Sequence, residues 1–414
     1  MHKIVILGGG FGGIRCALDL SRLLGDEVEI TLIDRAHAHQ FTPALYEVAS
    51  AYREVDDSAL LKLRRSVSIA YGEIFSGTRV THVLGEVTAV DLSRRIVTLH
   101  DGEERTYDYC VMALGSQSTD YGILGVTENT YFFKTLHDAL KVNQRVHQLF
   151  REYIHGPRDK QLQILLAGAG FTGIELASEL ACCLSKLGRK EGIHKKFFSI
   201  MVFEAASQMM PMLTAKERSS LMKRLVDIGV GTSDHSPIES VHADHVQLAD
   251  GHVWRGDMVI WTAGVKPNVL LASIPTLPLT SHGKISVDTT LQAHGLSNVF
   301  GIGDAAEYID PKTQQGVPML AYNAFDQGSI AARNIVALIQ NKKLREYHPR
   351  TSSWVAPVGA RFAIAHIGNT LSLIGFFGWF AKWIIDFRYF VSILPFSRAI
   401  KLLKKDFLLF SQND

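Results

Sequence analysis

A chain of 414 residues, 47% of them hydrophobic, has the material for more than one core, and its length predicts two or three domains. A formal charge of +2 is too balanced for a nucleic-acid binder. The four cysteines, Cys16, Cys110, Cys182 and Cys183, form neither a CxxC pair nor a zinc-ligand spacing; no disulfide framework and no metal are expected, and a reducing compartment is.

Met1-His2-Lys3 leads into Ile4-Val5-Ile6-Leu7, an apolar run too short for the h-region of a signal peptide and suited to a buried strand. A GxGxxG turn follows on Gly8, Gly10 and Gly13, then a helical pattern, then a second apolar strand from Glu29 to Ile33 that ends in Asp34. Next comes a long stretch over 41–76, opening Phe41-Thr42-Pro43-Ala44-Leu45-Tyr46. It has the length to wrap a large bound cofactor, with Pro43 among its contacts; a surface insertion is the lesser alternative. Asp101-Gly102, Asp108, the strand Tyr109 to Ala113 and Gly115 complete this unit.

The same unit then recurs. The strand Gln163 to Ala167 runs into a second GxGxxG on Gly168, Gly170 and Gly173. The strand Ser199 to Phe203 ends in Glu204, and Asp250-Gly251, Asp257, the strand Met258 to Ala263 and Gly264 repeat the first unit's spacing. One glycine motif is weak evidence, but two that share strand, helix, acid and downstream strand in order indicate a duplication of a dinucleotide-binding unit. The first glycine permits the tight turn, the second lets backbone approach a pyrophosphate, and the third lets helix pack on strand. The helix N-terminus offers unpaired N–H groups to the phosphates. Asp34 and Glu204 can accept hydrogen bonds from a ribose diol. Ala113 and Gly115, and their counterparts Ala263 and Gly264, are candidate cofactor contacts at the strand ends. Glu204 suits a free ribose hydroxyl and repels a 2′-phosphate, and the residues after it, Ala205-Ala206-Ser207, include no arginine, so NADH is expected over NADPH.

Further on, Asn298-Val299-Phe300 leads to Gly301-Ile302-Gly303-Asp304, and a helical pattern runs from about Ala321 to Gln340. Taken alone, Gly303-Asp304 also fits a plain turn with Asp as a helix cap. The order of elements resembles the two-dinucleotide-binding-domain flavoproteins. That resemblance implies FAD on the first half, with Gly303 and Asp304 at its ribityl chain and phosphate, and a nicotinamide nucleotide on the second half.

Within that group the chain resembles the type II NADH:quinone oxidoreductases, the non-proton-pumping NADH dehydrogenases. The resemblance rests on Gly168-Ala169-Gly170-Phe171-Thr172-Gly173-Ile174-Glu175, on Glu204-Ala205-Ala206 through Met209, Met210, Pro211 and Met212, on Trp261 to Pro267, and on Gly301 to Asp304. Disulfide reductases need a CxxxxC beside the flavin and sulfide:quinone reductases use flavin-proximal cysteines; this chain has no CxxxxC and no cysteine after Cys183. The family's quinone-site helix carries Ala-Gln-x-Ala-x-Gln, whereas this chain reads Ala321-Tyr322-Asn323-Ala324-Phe325-Asp326-Gln327. Ala321, Tyr322, Asp326 and Gln327 are therefore the candidate quinone contacts, with Tyr322 and Asp326 standing where the family has glutamines. The resemblance implies electron transfer from NADH through FAD to a membrane quinone, with Glu175 as a proton relay; a plain carboxylate favoured by a helix N-terminus is the other reading of Glu175.

In the tail, the apolar and aromatic run from Leu371 to Arg388 reads as one amphipathic helix. A second follows Pro395, with Arg398, Lys401, Lys404 and Lys405 opposite Phe396, Ala399, Ile400, Leu403, Phe407 and Phe410. No run reaches the length of a spanning helix, and basic amphipathic helices with aromatics lie in the membrane interface; packing on the body or in a homodimer is the alternative. The expected architecture is α/β, with two Rossmann-like domains and a C-terminal membrane-binding element. Its parts are 1–125 and 271–345 for FAD, 126–270 for NADH and 346–414 for the membrane, with the protein peripheral on the cytoplasmic face of a bacterial inner membrane. Two other functions stay open: a soluble flavin reductase serving an iron–sulfur or rubredoxin-type protein, and an NADH-sensing flavoprotein.

Overall fold

The computed structural model describes the backbone of residues 1–52, 67–157, 160–350, 353–368 and 370–410, and side chains as far as Leu403. The segment 53–66 of the expected cofactor wrap lies outside the described residues. The chain divides into two compact units, Met1–Gln40 with Ser68–Gln117 and Val265–Thr351, and Phe41–Val67 with Ser118–Gly264 and Ser352–Asp414.

The first unit is built on a five-stranded parallel sheet, in the order Val299–Gly301, Tyr109–Met112, His2–Leu7, Val28–Asp34, Val80–Leu84. Its three central strands are runs of Val, Ile, Leu and Met, buried on both faces as parallel strands must be. Ile4 pairs with Ile30 on one side and Tyr109 on the other. The helices Phe11–Leu24 and Ala321–Ile339 pack at a glycine contact: a Cβ on Gly328 would stand 2.2 Å from the Gly12 carbonyl oxygen. An antiparallel sheet of Val87–Asp91, Ile96–Leu99 and Glu104–Thr106 completes the unit.

The second unit repeats the plan. Its parallel sheet runs Tyr131–Phe132, Met258–Trp261, Leu162–Ala167, Phe198–Phe203, Val230–Ser233. Its antiparallel sheet is Ile238–Val241, His245–Leu248, Val253–Arg255. Leu165, Phe203, Val246, Val259 and Trp261 close the core between the two sheets. The duplication extends to single hydrogen bonds. Asp108 takes the amide N–H of Lys3 at 2.8 Å, and Asp257 takes that of Gln163 at 2.9 Å. Gly102 and Gly251 close identical turns, donating to Leu99 O and Leu248 O at 2.9 Å.

The tail departs from the sequence reading. Leu371–Gly375 is a strand, the third of a sheet with Trp354–Pro357 and Ala363–Ile367, and the helix begins only at Phe376 and runs to Ile393. Gly375, at φ 77°, makes the turn from strand to helix, a conformation that residues with a Cβ resist. A run of apolar residues satisfied both periods, and pairing decided between them. Gly378 lets this helix lie on the sheet, since a Cβ there would stand 2.2 Å from the Ala363 carbonyl oxygen. The helix Phe396–Phe410 follows. Among the described residues no helix is long and apolar enough to cross a membrane.

Candidate active site

The two glycine loops have the same geometry. Gly8 and Gly168 sit at φ 103° and 96°, which opens each turn. A Cβ on Gly13 or on Gly173 would lie 1.9 Å from the carbonyl oxygen of Gly8 or Gly168, so both positions require glycine. Around Gly10 and Gly170 there is open space, with nothing within 4 Å of a built Cβ. These are the surfaces a pyrophosphate approaches. The helices Phe11–Leu24 and Phe171–Lys190 start there with no side-chain cap and no acidic residue in the first turn, which leaves their terminal N–H groups for an anion.

The acids lie beside the loops. Asp34 Oδ2 accepts the Gly9 N–H at 2.6 Å and its Oδ1 accepts that of Ala36 at 2.8 Å. Glu204 repeats this, with Oε2 taking Ala169 N–H and Oε1 taking Ala206 N–H, each at 2.9 Å. Each carboxylate is thus fixed at the mouth of its loop and keeps lone pairs for a ribose diol. Ala113 and Ala263 abut the first glycines: a Cβ on Gly8 would lie 2.3 Å from Ala113 O, and one on Gly168 2.9 Å from Ala263 Cα. Gly115 and Gly264 turn the chain at φ 67° and 71°. The residues present therefore fit two dinucleotides, one per unit.

In the first unit, Asp304 accepts the Ser116 hydroxyl at 2.5 Å, and Gln327 Oε1 accepts the Gly303 N–H at 2.7 Å. The helix Ala321–Ile339 thus reaches the Gly-Asp turn directly. Ala321, Tyr322 and Asp326 lie half-buried on its first two turns. Burial pushes both the Tyr322 phenol and the Asp326 carboxyl up, the latter against the pull of Arg350 and Arg15. Arg350 Nε stands 3.5 Å from Asp326.

The second unit holds a cluster that sequence reasoning missed. Lys382, 7% exposed, donates to Glu47 Oε1 at 2.8 Å and Asp386 Oδ2 at 3.1 Å. Burial works to lower its ammonium, but Asp386 and Glu47 outweigh it and hold Lys382 well above the ordinary lysine range. Glu175 feels the same group. Desolvation raises its carboxyl well above the usual range, with Lys382 opposing and Glu47, Asp386 and Glu179 adding to the rise. Counting these carboxyls against one ammonium, a proton resting on Glu175 relieves the excess negative charge. Glu47 belongs to the short helix Leu45–Ala49, entered through the turn Thr42–Ala44 that contains Pro43. The Lys382–Asp386 spacing of four in an otherwise aromatic helix is visible in the sequence; its partner Glu47 is not.

Three of the four cysteines are held as inert thiols. Cys16, Cys110 and Cys183 are buried and free, and burial raises all three thiols, Cys183 to about 12.

The model of the pyridine nucleotide-disulphide oxidoreductase family matches residues 2–328. The chain is 27% identical to the type II NADH:quinone oxidoreductase of Staphylococcus epidermidis, over 93% of this chain and 94% of that one. It is 28% identical to the demethylphylloquinone reductase NdbB of Synechocystis, over 90% and 87%. Its fold matches that of NDH2 from Plasmodium falciparum in complex with NADH, at a TM-score of 0.84 and 16% identity over 99% of both chains. The matched glycine loops, their acids and the absence of a reactive thiol pair all sit inside the span of the family model, and the chain belongs to the pyridine nucleotide-disulphide oxidoreductase family.

Proposed function

We propose that the protein is an FAD-dependent NADH dehydrogenase that reduces a membrane quinone without pumping protons. The observation that carries this is the pair of matched glycine-and-acid sites, one per unit, with the half-buried Glu175 on the helix that opens at the second loop. In this reading Gly8, Gly10, Gly13, Asp34, Pro43, Ala113, Gly115, Gly303 and Asp304 hold FAD. Gly168, Gly170, Gly173, Glu204, Ala263 and Gly264 hold NADH. Bound FAD supplies the two-electron chemistry between NADH and quinone. The overall reaction, NADH + H⁺ + quinone → NAD⁺ + quinol, consumes a proton. We assign that proton to the Glu175 carboxyl, raised by desolvation, while Lys382, fixed by Glu47 and Asp386, opposes the rise electrostatically. Ala321, Tyr322, Asp326 and Gln327 contact the quinone, with the phenol and the carboxyl providing hydrogen bonds.

The tail supports a peripheral membrane site. The helix Phe376–Ile393 turns Gly378, Lys382 and Asp386 inward and leaves Phe376, Phe377, Phe380, Ile384 and Ile385 exposed. An apolar face of this kind, on a helix that turns Lys382 and Asp386 away from it, suits the interfacial layer of a bilayer. Arg398 and Lys401 on the next helix are exposed and add attraction to anionic lipid. The cytoplasmic face of a bacterial inner membrane, where NADH and quinone meet, is the proposed location. We assign FAD to 1–125 and 271–345, NADH to 126–270 and the membrane to 346–414.

Flavin release and nucleotide preference test the reading. The purified protein should release FAD, and kcat/KM should favour NADH over NADPH. Glu204→Ser should narrow the gap by improving NADPH. Release of FMN, or equal use of the two nucleotides by the unaltered protein, would overturn the assignment.

A further inference from the structure

The C-terminal sheet carries a row of polar and aromatic side chains that the proposed mechanism does not use. Trp354 pairs with His366, and His366 with Ser372, so the three stand side by side across three strands. The His366 ring stacks on Trp354 at 5.7 Å with 8° between planes. At one end of the row, Trp354 meets the ring of Phe171 edge-on, at 5.6 Å and 61°. Phe171 is the residue after Gly170, the first of the helix whose N–H groups face the open side of the loop. At the other end, Ser372 donates its hydroxyl to Glu217 Oε1, and His366 Nδ1 lies 2.8 Å from the same oxygen. Glu217 is fully buried, and its Oε2 takes the Thr214 N–H at 2.8 Å in a capping box that starts the helix Ala215–Ile228. Burial would raise this carboxyl, but the hydrogen bonds from Ser372, His366 and Thr214 prevail and hold it at about 2. It is therefore a permanent acceptor, and the row is pinned at that end.

We propose that Trp354 is a positioning residue for the nicotinamide nucleotide: held by His366 and Glu217, it fixes the ring of Phe171 at the mouth of the second glycine loop. Every contact in the chain from Glu217 to Phe171 lies within the second unit. A free Phe171 ring at an uncapped helix N-terminus would sample several rotamers, and some would cover the surface that the pyrophosphate must reach. An aromatic neighbour in edge-on contact removes that freedom before the nucleotide arrives, so less ordering is lost on binding. The sheet C-terminal to the nucleotide-binding fold thereby becomes part of the site. The inference rests on the reading that the second loop binds NADH.

The test uses the full-length, FAD-loaded protein and Trp354→Ala, with Trp354→Phe as the conservative variant. Trp354 is half-buried, so the alanine variant should retain its flavin and fold. NAD⁺ and ADP-ribose binding are measured by titration calorimetry, beside KM and kcat for NADH. Losing one preordered side chain should weaken both ligands by about three- to tenfold. KM should rise in parallel, with kcat at saturating NADH and the rate of quinone reoxidation unchanged. Trp354→Phe should restore most of the affinity. Equal affinities in Trp354→Ala and the unaltered protein would overturn the positioning role. So would a loss spread equally over flavin content, stability and both half-reactions, because that is the result of a merely structural role. Failure of the unaltered protein to bind NAD⁺ or ADP-ribose would instead refute the reading of the loop itself.

Discussion

Glu175 carries the sharpest expectation at the scale of one residue. Desolvation raises its carboxyl well above the usual range, which favours the protonated form. That proton is present below the raised value and is lost as pH rises through it. The quinone-dependent reoxidation step should therefore slow with rising pH. In Glu175→Gln this step should be slow and no longer pH-dependent in that range, while reduction by NADH is nearly unaffected; rapid mixing separates the two half-reactions. Slowed reduction with unchanged reoxidation would assign Glu175 to nucleotide binding. The glycine loops and Asp34 and Glu204 were legible from sequence because their geometry is local backbone: a turn, a close approach and a strand end. The neighbours of Glu175 were not. Glu47 and Lys382 lie 335 residues apart, and only the fold brings them within 2.8 Å.

At the scale of elements, the helix Phe376–Ile393 depends on one buried ion cluster. Removing Lys382 leaves Glu47 and Asp386 facing each other without a cation, and stranding buried charge in this way costs about 3–5 kcal/mol. Lys382→Met should lower the denaturation midpoint by a corresponding amount. The triple variant Lys382→Met, Glu47→Gln, Asp386→Asn should recover most of the loss. A single variant as stable as the parent would mean that the cluster is already hydrated and carries no net energy. This region also shows where sequence reading fails. The alternation in Leu371–Gly375 and the helical period after it share one apolar run, and the boundary at Gly375 is set by pairing with Ala363–Ile367. The duplicated sheets, by contrast, were readable because buried parallel strands announce themselves as continuous apolar runs.

For the whole molecule, the exposed aromatic face of that helix should bring the enzyme to lipid. Replacing Phe376, Phe377 and Phe380 with serine removes exposed apolar area without touching Lys382 or Asp386. Sedimentation with anionic liposomes should drop severalfold, and the residual binding should be more salt-sensitive than that of the parent, since the screened electrostatic attraction then carries a larger share of it. Turnover with a long-tailed quinone should fall while turnover with a water-soluble acceptor is kept. Unchanged lipid binding would show that another surface is the anchor, and a change in oligomeric state without a change in lipid binding would assign this face to a second copy of the chain. The central claim, that two copies of one nucleotide-binding plan pass electrons from NADH through FAD to quinone, is tested most directly by anaerobic rapid mixing of the FAD-loaded protein. The flavin absorbance should bleach with one NADH per FAD, and a quinone added in the second mix should restore it fully within the time of one steady-state turnover. Bleaching that no quinone reverses, or reversal far slower than turnover, would contradict it.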